Sequence, residues 1–356
     1  MKILIFNTIV LNCMSRNPSY NSDNSVLLLS TKNSQFLIPS LHDKLLGQYE
    51  EVNIQHFLSE QFQDGEIHLM LPRQVESKHI VVISSPTTET EIFELFGILT
   101  VLLKKDINSI RLIIPFFRYC TQEREAKEGE VPMGLVYASA LNNIFNYNRN
   151  IRCYIDLYGL HSETIIPSFH NLTVTHNLPL NKIANVVKNI VDSNSNQLKI
   201  VIGGTDAGRL KDIQEIARIL YKTYKISVSI MYLNKIRLPQ GGTKILSEAN
   251  GSVPEETSSE TESETESSTV RKMLFILYDD IINSGGSFLK ALIHFHNKYP
   301  IEKSYGIAIH GILSGTAIDD IIKNPLTEMH FSDSHPNAVK ASTENHKIKI
   351  FSCLDA

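Results

Sequence analysis

One stretch of the sequence is the most informative about its fold: Leu274-Phe275-Ile276-Leu277-Tyr278-Asp279-Asp280-Ile281-Ile282-Asn283-Ser284-Gly285-Gly286-Ser287. It begins as an apolar run of strand length, continues with two acids, and ends in a turn of small residues that precedes a helix-like pattern. An apolar run bounded by turn residues is typical of a strand that is buried on both faces. The stretch therefore predicts a strand–turn–helix unit of an α/β protein.

The same alternation of strand and helix recurs along the chain, which predicts a parallel, doubly wound sheet in each half. We expect two similar domains, 25–172 and 173–356, after an N-terminal extension, 1–24. Strands are predicted at 26–29, 79–84, 110–117, 151–157, 198–202, 227–233 and 273–278, and helices at 91–103, 133–146, 180–192, 208–224 and 286–299.

Composition and charge limit the classes of protein and the partners that the chain can be expected to have. The chain has 356 residues, of which 42% are hydrophobic, and a formal net charge of -4. Without a clustered basic block, nucleic acid is not the expected partner. No apolar run reaches the roughly 18 to 20 residues that a membrane span needs, and Met1 to Met14 make a poor secretory signal. We therefore expect a soluble, cytoplasmic protein without a membrane partner.

Two further features bear on the interior and the surface of the protein. Its four cysteines lie far apart without metal-binding or redox spacing, so free thiols in a reducing compartment are expected. The segment 252–268 consists almost only of Glu, Ser and Thr. This composition buries too little apolar surface to offset the entropy of ordering, and it predicts a disordered insertion.

The acids and the turn after the strand at 273–278 are the first candidate site. Adjacent carboxylates at a strand end can accept hydrogen bonds from two ribose hydroxyls, and backbone N–H groups at a helix start attract phosphate. The pattern thus suits a sugar phosphate, although an acidic helix cap and turn would give the same residues. The candidate residues are Asp279, Asp280, Asn283, Ser284, Gly285, Gly286 and Ser287.

A second anion loop is predicted after the strand at 198–202, where Asp206 offers a carboxylate suited to Mg²⁺. Lys235 and Arg237 could act as fixed cationic donors to transferring phosphates, or they could be solvated surface charges. The residues of the predicted anion loop are Gly204, Thr205, Asp206, Ala207 and Gly208.

These segments, together with Phe62-Gln63-Asp64-Gly65-Glu66, follow the order found in ribose-phosphate pyrophosphokinases, also called phosphoribosyl pyrophosphate synthetases. The chain resembles that family from about Val26 to Leu354. It looks most similar to the plant-type, phosphate-independent branch, through Pro115-Phe116-Phe117, Thr121-Gln122-Glu123-Arg124 and Glu128-Gly129-Glu130-Val131.

The resemblance implies two phosphoribosyltransferase-like domains and transfer of pyrophosphate from Mg-ATP to ribose 5-phosphate, which gives phosphoribosyl pyrophosphate and AMP for nucleotide biosynthesis. By the same resemblance, Asp279 to Ser287 would hold ribose 5-phosphate, and Gly204 to Gly208 would face the pyrophosphate. Asp206 would bind magnesium, and Lys235 and Arg237 would lie on a flexible catalytic loop.

The resemblance also implies an oligomer. Phe62, Asp64 and Glu66 match an ATP-binding segment that completes the site of a neighbouring subunit in relatives, with Gln122 and Arg124 nearby. A homo-oligomer, or a hetero-oligomer with a paralogue, is therefore expected.

The chain departs from the family at Tyr158, where His is usual, and His161 is the candidate replacement as a metal ligand. Two alternatives stay open: a non-catalytic, synthetase-associated regulatory subunit, and a phosphoribosyltransferase.

Overall fold

A computed structural model describes residues 25–72, 75, 79–170, 172–194, 198–237, 243–251 and 272–354, with backbone alone at 235–237 and 243–251. The predicted extension 1–24 and the predicted insertion 252–268 lie outside the described residues. Within the described ranges, no helix is long and apolar enough to cross a membrane.

Strands and helices alternate, as the sequence predicts. The helices are α1 (Ile38–Leu46), α2 (Glu89–Leu102), α3 (Met133–Phe145), α4 (Leu180–Asp192), α5 (Leu210–Tyr224), α6 (Gly286–Lys298), α7 (Ala317–Lys323) and α8 (Pro336–Glu344). The strands are β1 (Ser25–Ser30), β2 (Glu51–Ile54), β3 (Leu58–Gln61), β4 (Ile67–Met70), β5 (His79–Ile83), β6 (Ser109–Ile114), β7 (Arg152–Tyr158), β8 (Thr173–Asn177), β9 (Lys199–Gly204), β10 (Ser229–Arg237), β11 (Thr243–Gly251), β12 (Met273–Ile282), β13 (Ile301–Gly311), β14 (Glu328–Ser332) and β15 (Ile348–Phe351).

The strands form two large sheets and a hairpin. One sheet has the order β2-β1-β5-β6-β7-β8, and the other has the order β11-β10-β9-β12-β13-β14-β15. In the first sheet, β2, β1, β5 and β6 pair in parallel. In the second sheet, the neighbouring strands of the series β10-β9-β12-β13-β14-β15 also pair in parallel. Strand β11 is the antiparallel exception at the edge, and β3 and β4 form an antiparallel hairpin.

The described residues fall into two compact units. Those up to Ile113, with Leu135–Ile155 and Ile166–Val174, form the first unit. Ile114–Gly134, Asp156–Ile165 and the residues from Thr175 onward form the second unit.

The second sheet has a core on each face. Helices α4 and α5 bury Ile183, Val187 and Ile216 in one apolar cluster, whereas α6 buries Phe288 and Phe295 in the other. The central strand β12 contributes to both clusters, because Phe275 and Ile276 point to opposite faces. This double burial explains why its sequence is continuously apolar rather than alternating.

The cysteines agree with the prediction of free thiols. Cys120, Cys153 and Cys353, which are the cysteines in the described ranges, form no disulfide. Burial raises the pKa of the Cys120 thiol to about 12, so this side chain stays protonated and unreactive at neutral pH.

Candidate functional site

Two predicted site segments meet at one edge of the second sheet. Strand β9 pairs in parallel with β12, and Gly203 and Gly204 lie opposite Leu277 and Tyr278. Directly after this pairing, the backbone N–H of Thr205 donates to the Tyr278 carbonyl oxygen at 3.3 Å. The predicted anion loop and the paired acids therefore lie side by side at the carboxyl ends of neighbouring strands, where open α/β sheets bind ligands.

Asp280 is the centre of a buried charge cluster. Its Oδ2 accepts from His161 Nδ1 at 2.7 Å and from Arg209 Nη1 at 2.9 Å, and its Oδ1 accepts from the Ile281 N–H at 2.9 Å. Burial opposes ionisation, but the His161 hydrogen bond and the Arg209 guanidinium outweigh it and hold the pKa of Asp280 at about 2. Asp280 is thus an anion at any physiological pH.

Asp279 has the opposite electrostatic character. Its Oδ1 accepts from the Asp280 N–H at 3.0 Å, and its side chain faces no cation at ion-pair distance among the described residues. Burial, and then the negative charge of Asp280, raise the pKa of Asp279 well above its usual value. The neighbouring acids therefore differ in electrostatics: Asp280 is held as an anion that can only accept, whereas Asp279 takes up a proton more readily than an ordinary carboxyl group does.

The small residues after the acids form a helix start that suits an anion. Gly285 adopts the left-handed conformation, with φ of 78°, and α6 begins at the next residue. Ser284, Gly286 and Ser287 are exposed there. Because the first N–H groups of a helix have no partner within the helix, this turn can bind a phosphate.

The predicted anion loop differs from expectation in one detail. Asp206 Oδ1 accepts from the Gly208 N–H at 2.9 Å, so that N–H is already bound within the loop. The chain then continues through the 3-10 turn Ala207–Arg209 into α5. This geometry turns Arg209 towards Asp280, where its side chain is only 12% exposed. Sequence reasoning missed Arg209, because its partner lies in another segment of the chain.

Few of the described side chains at the site could bind the predicted magnesium ion. Among the described residues, no three His, Cys, Asp or Glu side chains come together in a group that could hold a metal ion. Mg²⁺ commonly uses one or two carboxylates together with substrate phosphates, and the partly exposed Asp206 fits that role. His161 fits poorly, because its Nδ1 is bound to Asp280 and Mg²⁺ prefers oxygen ligands.

Three contacts fix the turn that carries His161. His310 Nε2–H donates to the Gly159 carbonyl oxygen at 2.9 Å, and the Leu160 N–H donates to His176 Nε2 at 3.0 Å. The third contact is that of His161 with Asp280. His310 is 1% exposed and also contacts the Ser334 hydroxyl through Nδ1 at 2.7 Å, so its role is structural.

The predicted ATP segment is the tip of the β3–β4 hairpin, in the first compact unit. The Phe62 ring is 54% exposed and stacks on His68, with ring centroids 5.3 Å apart. Asp64 Oδ1 accepts from the Glu66 N–H at 3.1 Å, and Gly65 has φ of 93°. The segment is therefore an ordered turn that presents an aromatic face to solvent.

The remaining predicted residues lie in the second unit. Gln122 is held by its backbone, which accepts from the Gly134 N–H at 3.0 Å, and Arg124 is an exposed side chain beside Glu123. Lys235 and Arg237 lie on strand β10, where they pair with β11, rather than on a loop. Their side chains lie outside the described part of the structure.

Comparison with known proteins agrees with this geometry. Residues 26–144 match the model of the N-terminal domain of ribose phosphate pyrophosphokinase. The chain is 22% identical over 280 residues to the ribose-phosphate pyrophosphokinase of Haemophilus influenzae, and the aligned residues make up 77% of each protein. It is 25% identical over 289 residues to the ribose-phosphate pyrophosphokinase of Campylobacter jejuni, and the aligned residues make up 81% of each protein. By these matches the chain is similar to ribose-phosphate pyrophosphokinases over most of its length.

A solved structure extends the likeness to the fold of that family. The phosphoribosylpyrophosphate synthetase from Mycobacterium smegmatis superposes with a TM-score of 0.70 at 16% sequence identity, and the match covers 92% of this chain and 94% of that one. The prediction of two phosphoribosyltransferase-like α/β domains with parallel sheets is thereby confirmed. The assignment to the plant-type branch of the pyrophosphokinases stays a prediction.

Proposed function

We propose that this protein is a ribose-phosphate diphosphokinase, which transfers pyrophosphate from Mg-ATP to ribose 5-phosphate. The observation that carries the proposal is the arrangement of Asp279, Asp280 and the turn through Ser287 beside the loop at 203–208. It combines hydroxyl-binding acids, a phosphate-binding helix start and a carboxylate for magnesium at one sheet edge. The sequence matches to ribose-phosphate pyrophosphokinases support the same activity.

The chemistry asked of the chain is mainly alignment and charge stabilisation. The anomeric hydroxyl of ribose 5-phosphate attacks the β-phosphorus of ATP and releases its proton to solvent as the new oxygen–phosphorus bond forms. The bond between the β-phosphorus and the oxygen that bridges it to the α-phosphorus breaks, and AMP leaves with the electrons of that bond. Such transfers need positioned donors and cations rather than a covalent protein intermediate. Asp280 and Asp279 would hold the ribose, and Lys235 and Arg237 would stabilise charge on the transferring group. Magnesium, bound by Asp206 and the phosphates, would supply further charge neutralisation.

ATP would be bound in part by Phe62, Asp64 and Glu66 from a neighbouring subunit, together with Gln122 and Arg124. This division of the site is the reason to propose an oligomer, of one chain or with a paralogue. The exposed Phe62 ring favours it, because a solvent-facing aromatic side chain at a hairpin tip is suited to contact a base.

A non-catalytic regulatory subunit is the second candidate. The observation that favours it is Tyr158, a phenol that is 5% exposed at the end of β7, where the family usually has a histidine. A neutral phenol is a poor magnesium ligand, so a site of this kind could bind nucleotide without turning it over.

The deciding experiment measures AMP and phosphoribosyl pyrophosphate formed by the purified protein from ribose 5-phosphate and Mg-ATP. Asp280→Asn is the test variant, and Asp319→Asn, an exposed acid on α7, is the matched control. We expect product from the native protein and the control but not from Asp280→Asn. A folded protein that binds ATP and forms no product would favour the regulatory subunit.

A further inference from the structure

We propose that Arg209 is a positioning residue that couples occupation of the ribose acids to the geometry of the anion loop at 203–208. The inference rests on the proposed function and assigns a role to a residue that sequence reasoning missed. If it is correct, ribose 5-phosphate and the nucleotide bind with an affinity coupling that passes through this guanidinium.

The position of Arg209 joins the two parts of the site. It closes the 3-10 turn Ala207–Arg209, so its backbone belongs to the anion loop, and its N–H donates to the Asp206 carbonyl oxygen at 3.2 Å. Its guanidinium reaches Asp280, the acid on the neighbouring strand, at 2.9 Å. One residue thus contacts the main chain of the candidate magnesium ligand and the side chain of a candidate ribose ligand.

Arg209 also has a second anchor. Its Nη1 lies 3.3 Å from Asp212 Oδ2 on the first turn of α5, and that same oxygen accepts from the Tyr278 hydroxyl at 3.3 Å. The guanidinium therefore bridges two carboxylates, one from the site and one from the helix. A guanidinium that contacts two carboxylates can strengthen its contact with one while it weakens its contact with the other. Its own charge stays paired throughout.

The existing contacts of Asp280 explain why ribose would move Arg209. Oδ2 already accepts from His161 Nδ1 and from the Arg209 guanidinium, and Oδ1 accepts a backbone N–H. A ribose hydroxyl that donates to Oδ2 must weaken one of its two bonds, because both acceptor sites of that oxygen are taken. The Arg209 contact is the one that can yield at least cost, because Asp212 remains as a partner, and its movement shifts the loop that bears Asp206.

The absence of a side chain at Gly204 allows Arg209 to lie close to the end of β9. A Cβ atom at Gly204 would lie 3.1 Å from Arg209 Cβ and 3.2 Å from the Asp206 carbonyl oxygen. A larger residue would force the turn outward and would carry the guanidinium away from Asp280. The close approach of the Arg209 side chain is therefore built into the end of β9.

The test is the coupling between two ligands, measured by calorimetry on the full chain. The dissociation constant of ribose 5-phosphate is measured alone and with saturating Mg²⁺ and α,β-methylene ATP. In the native protein we expect the two values to differ by roughly 5-fold or more, which is the usual range of coupling between sites. Arg209→Gln should bring the ratio close to one, and Arg209→Lys should restore part of it.

Two further variants keep the test decisive. Asp212→Asn retains the Asp280 contact but weakens the second anchor, so it should reduce the coupling even if Arg209→Gln fails to fold. Arg218→Gln, which removes an arginine paired with Glu215 on the same helix, should leave the coupling unchanged.

The outcomes separate this inference from the proposed function. The inference is overturned, and the proposed function is not, if the coupling is unchanged in Arg209→Gln and Asp212→Asn. The same conclusion follows if the native protein binds both ligands without coupling. A native protein that binds neither ligand overturns the proposed function as well. A parallel loss of stability without a change in the coupling ratio would identify Arg209 as merely structural.

Discussion

His161 Nδ1 lies 2.7 Å from Asp280 Oδ2, in a contact where the histidine side chain is 34% exposed and the carboxylate is 7% exposed. The hydrogen bond to Asp280 raises the pKa of His161, against the opposing effect of burial. Stability from this contact is therefore fully present below the unfolded pKa, near 6.5, and is lost as pH rises through the folded pKa. The contact links protonation of one side chain to the state of the candidate ribose ligand.

The first prediction concerns the stability of this pair. We expect His161→Ala to lower the free energy of unfolding by about 2 kcal/mol at pH 6, the usual worth of a hydrogen bond to a charged group. The loss should become smaller at pH 9. Urea denaturation at both pH values measures it. His42→Ala is the matched control, because His42 faces Asp43 at the surface and such pairs contribute little. An equal loss at both pH values would contradict the prediction.

The second prediction concerns acid sensitivity. Burial lowers the pKa of His310 to about 4. Between about pH 6.5 and pH 4, the unfolded chain therefore binds more protons at this residue than the folded chain does, so stability falls as pH falls. The contribution is on the order of 3 kcal/mol over the whole window. Denaturant midpoints at pH 7 and pH 5 should diverge less in His310→Ala than in native protein, and His56→Ala should behave like native protein. The same slope in all three proteins would refute the assignment.

The third prediction concerns the turn beneath His161. Gly159 has φ of 57°, and a Cβ atom there would lie 2.6 Å from His310 Nε2. We expect Gly159→Ala to cost about 2 to 4 kcal/mol, the sum of left-handed strain and overpacking. Gly315 has φ of 62° with open space around it, so Gly315→Ala isolates the strain and should cost about 1 kcal/mol. Thermal melting compares the two variants, and equal shifts would show that the clash is relieved.

The sequence predicted the parts of the fold whose signal is local. Strand β12 and helix α6 are recognisable because a doubly buried strand is continuously apolar and because Gly285 permits the left-handed turn between them. The acids Asp279 and Asp280 could be assigned to a sheet edge for the same reason.

Other parts of the fold were missed. The β3–β4 hairpin has short strands with no fully buried residue and no strong apolar pattern, so the sequence indicated only its turn at Phe62 to Glu66. The antiparallel pairing of β10 with β11 places Lys235 and Arg237 on a strand, although the resemblance to relatives implied a loop. Pairing of this kind depends on which strands meet, and that is not encoded in a single window of sequence.

The charge cluster was also beyond sequence reasoning. His161 and Asp280 are 119 residues apart in the chain, and Arg209 comes from a third segment. Arg209 carries no local signal in the sequence, and no local pattern pairs His161 with Asp280. Their effect on the pKa values of Asp279 and Asp280 arises only when the ends of β7, β9 and β12 are brought together.

The last prediction concerns catalysis. We expect Arg237→Ala to lower the turnover number of the proposed diphosphokinase by about 10²-fold or more, because a positioned cation stabilises charge that develops in the transition state. The Michaelis constants should change less than turnover does. Arg152→Ala, which removes an exposed arginine at the start of β7, is the control, and circular dichroism checks that both variants are folded. Turnover that is unchanged in folded Arg237→Ala would remove this residue from the mechanism and leave Lys235 as the candidate cation on β10.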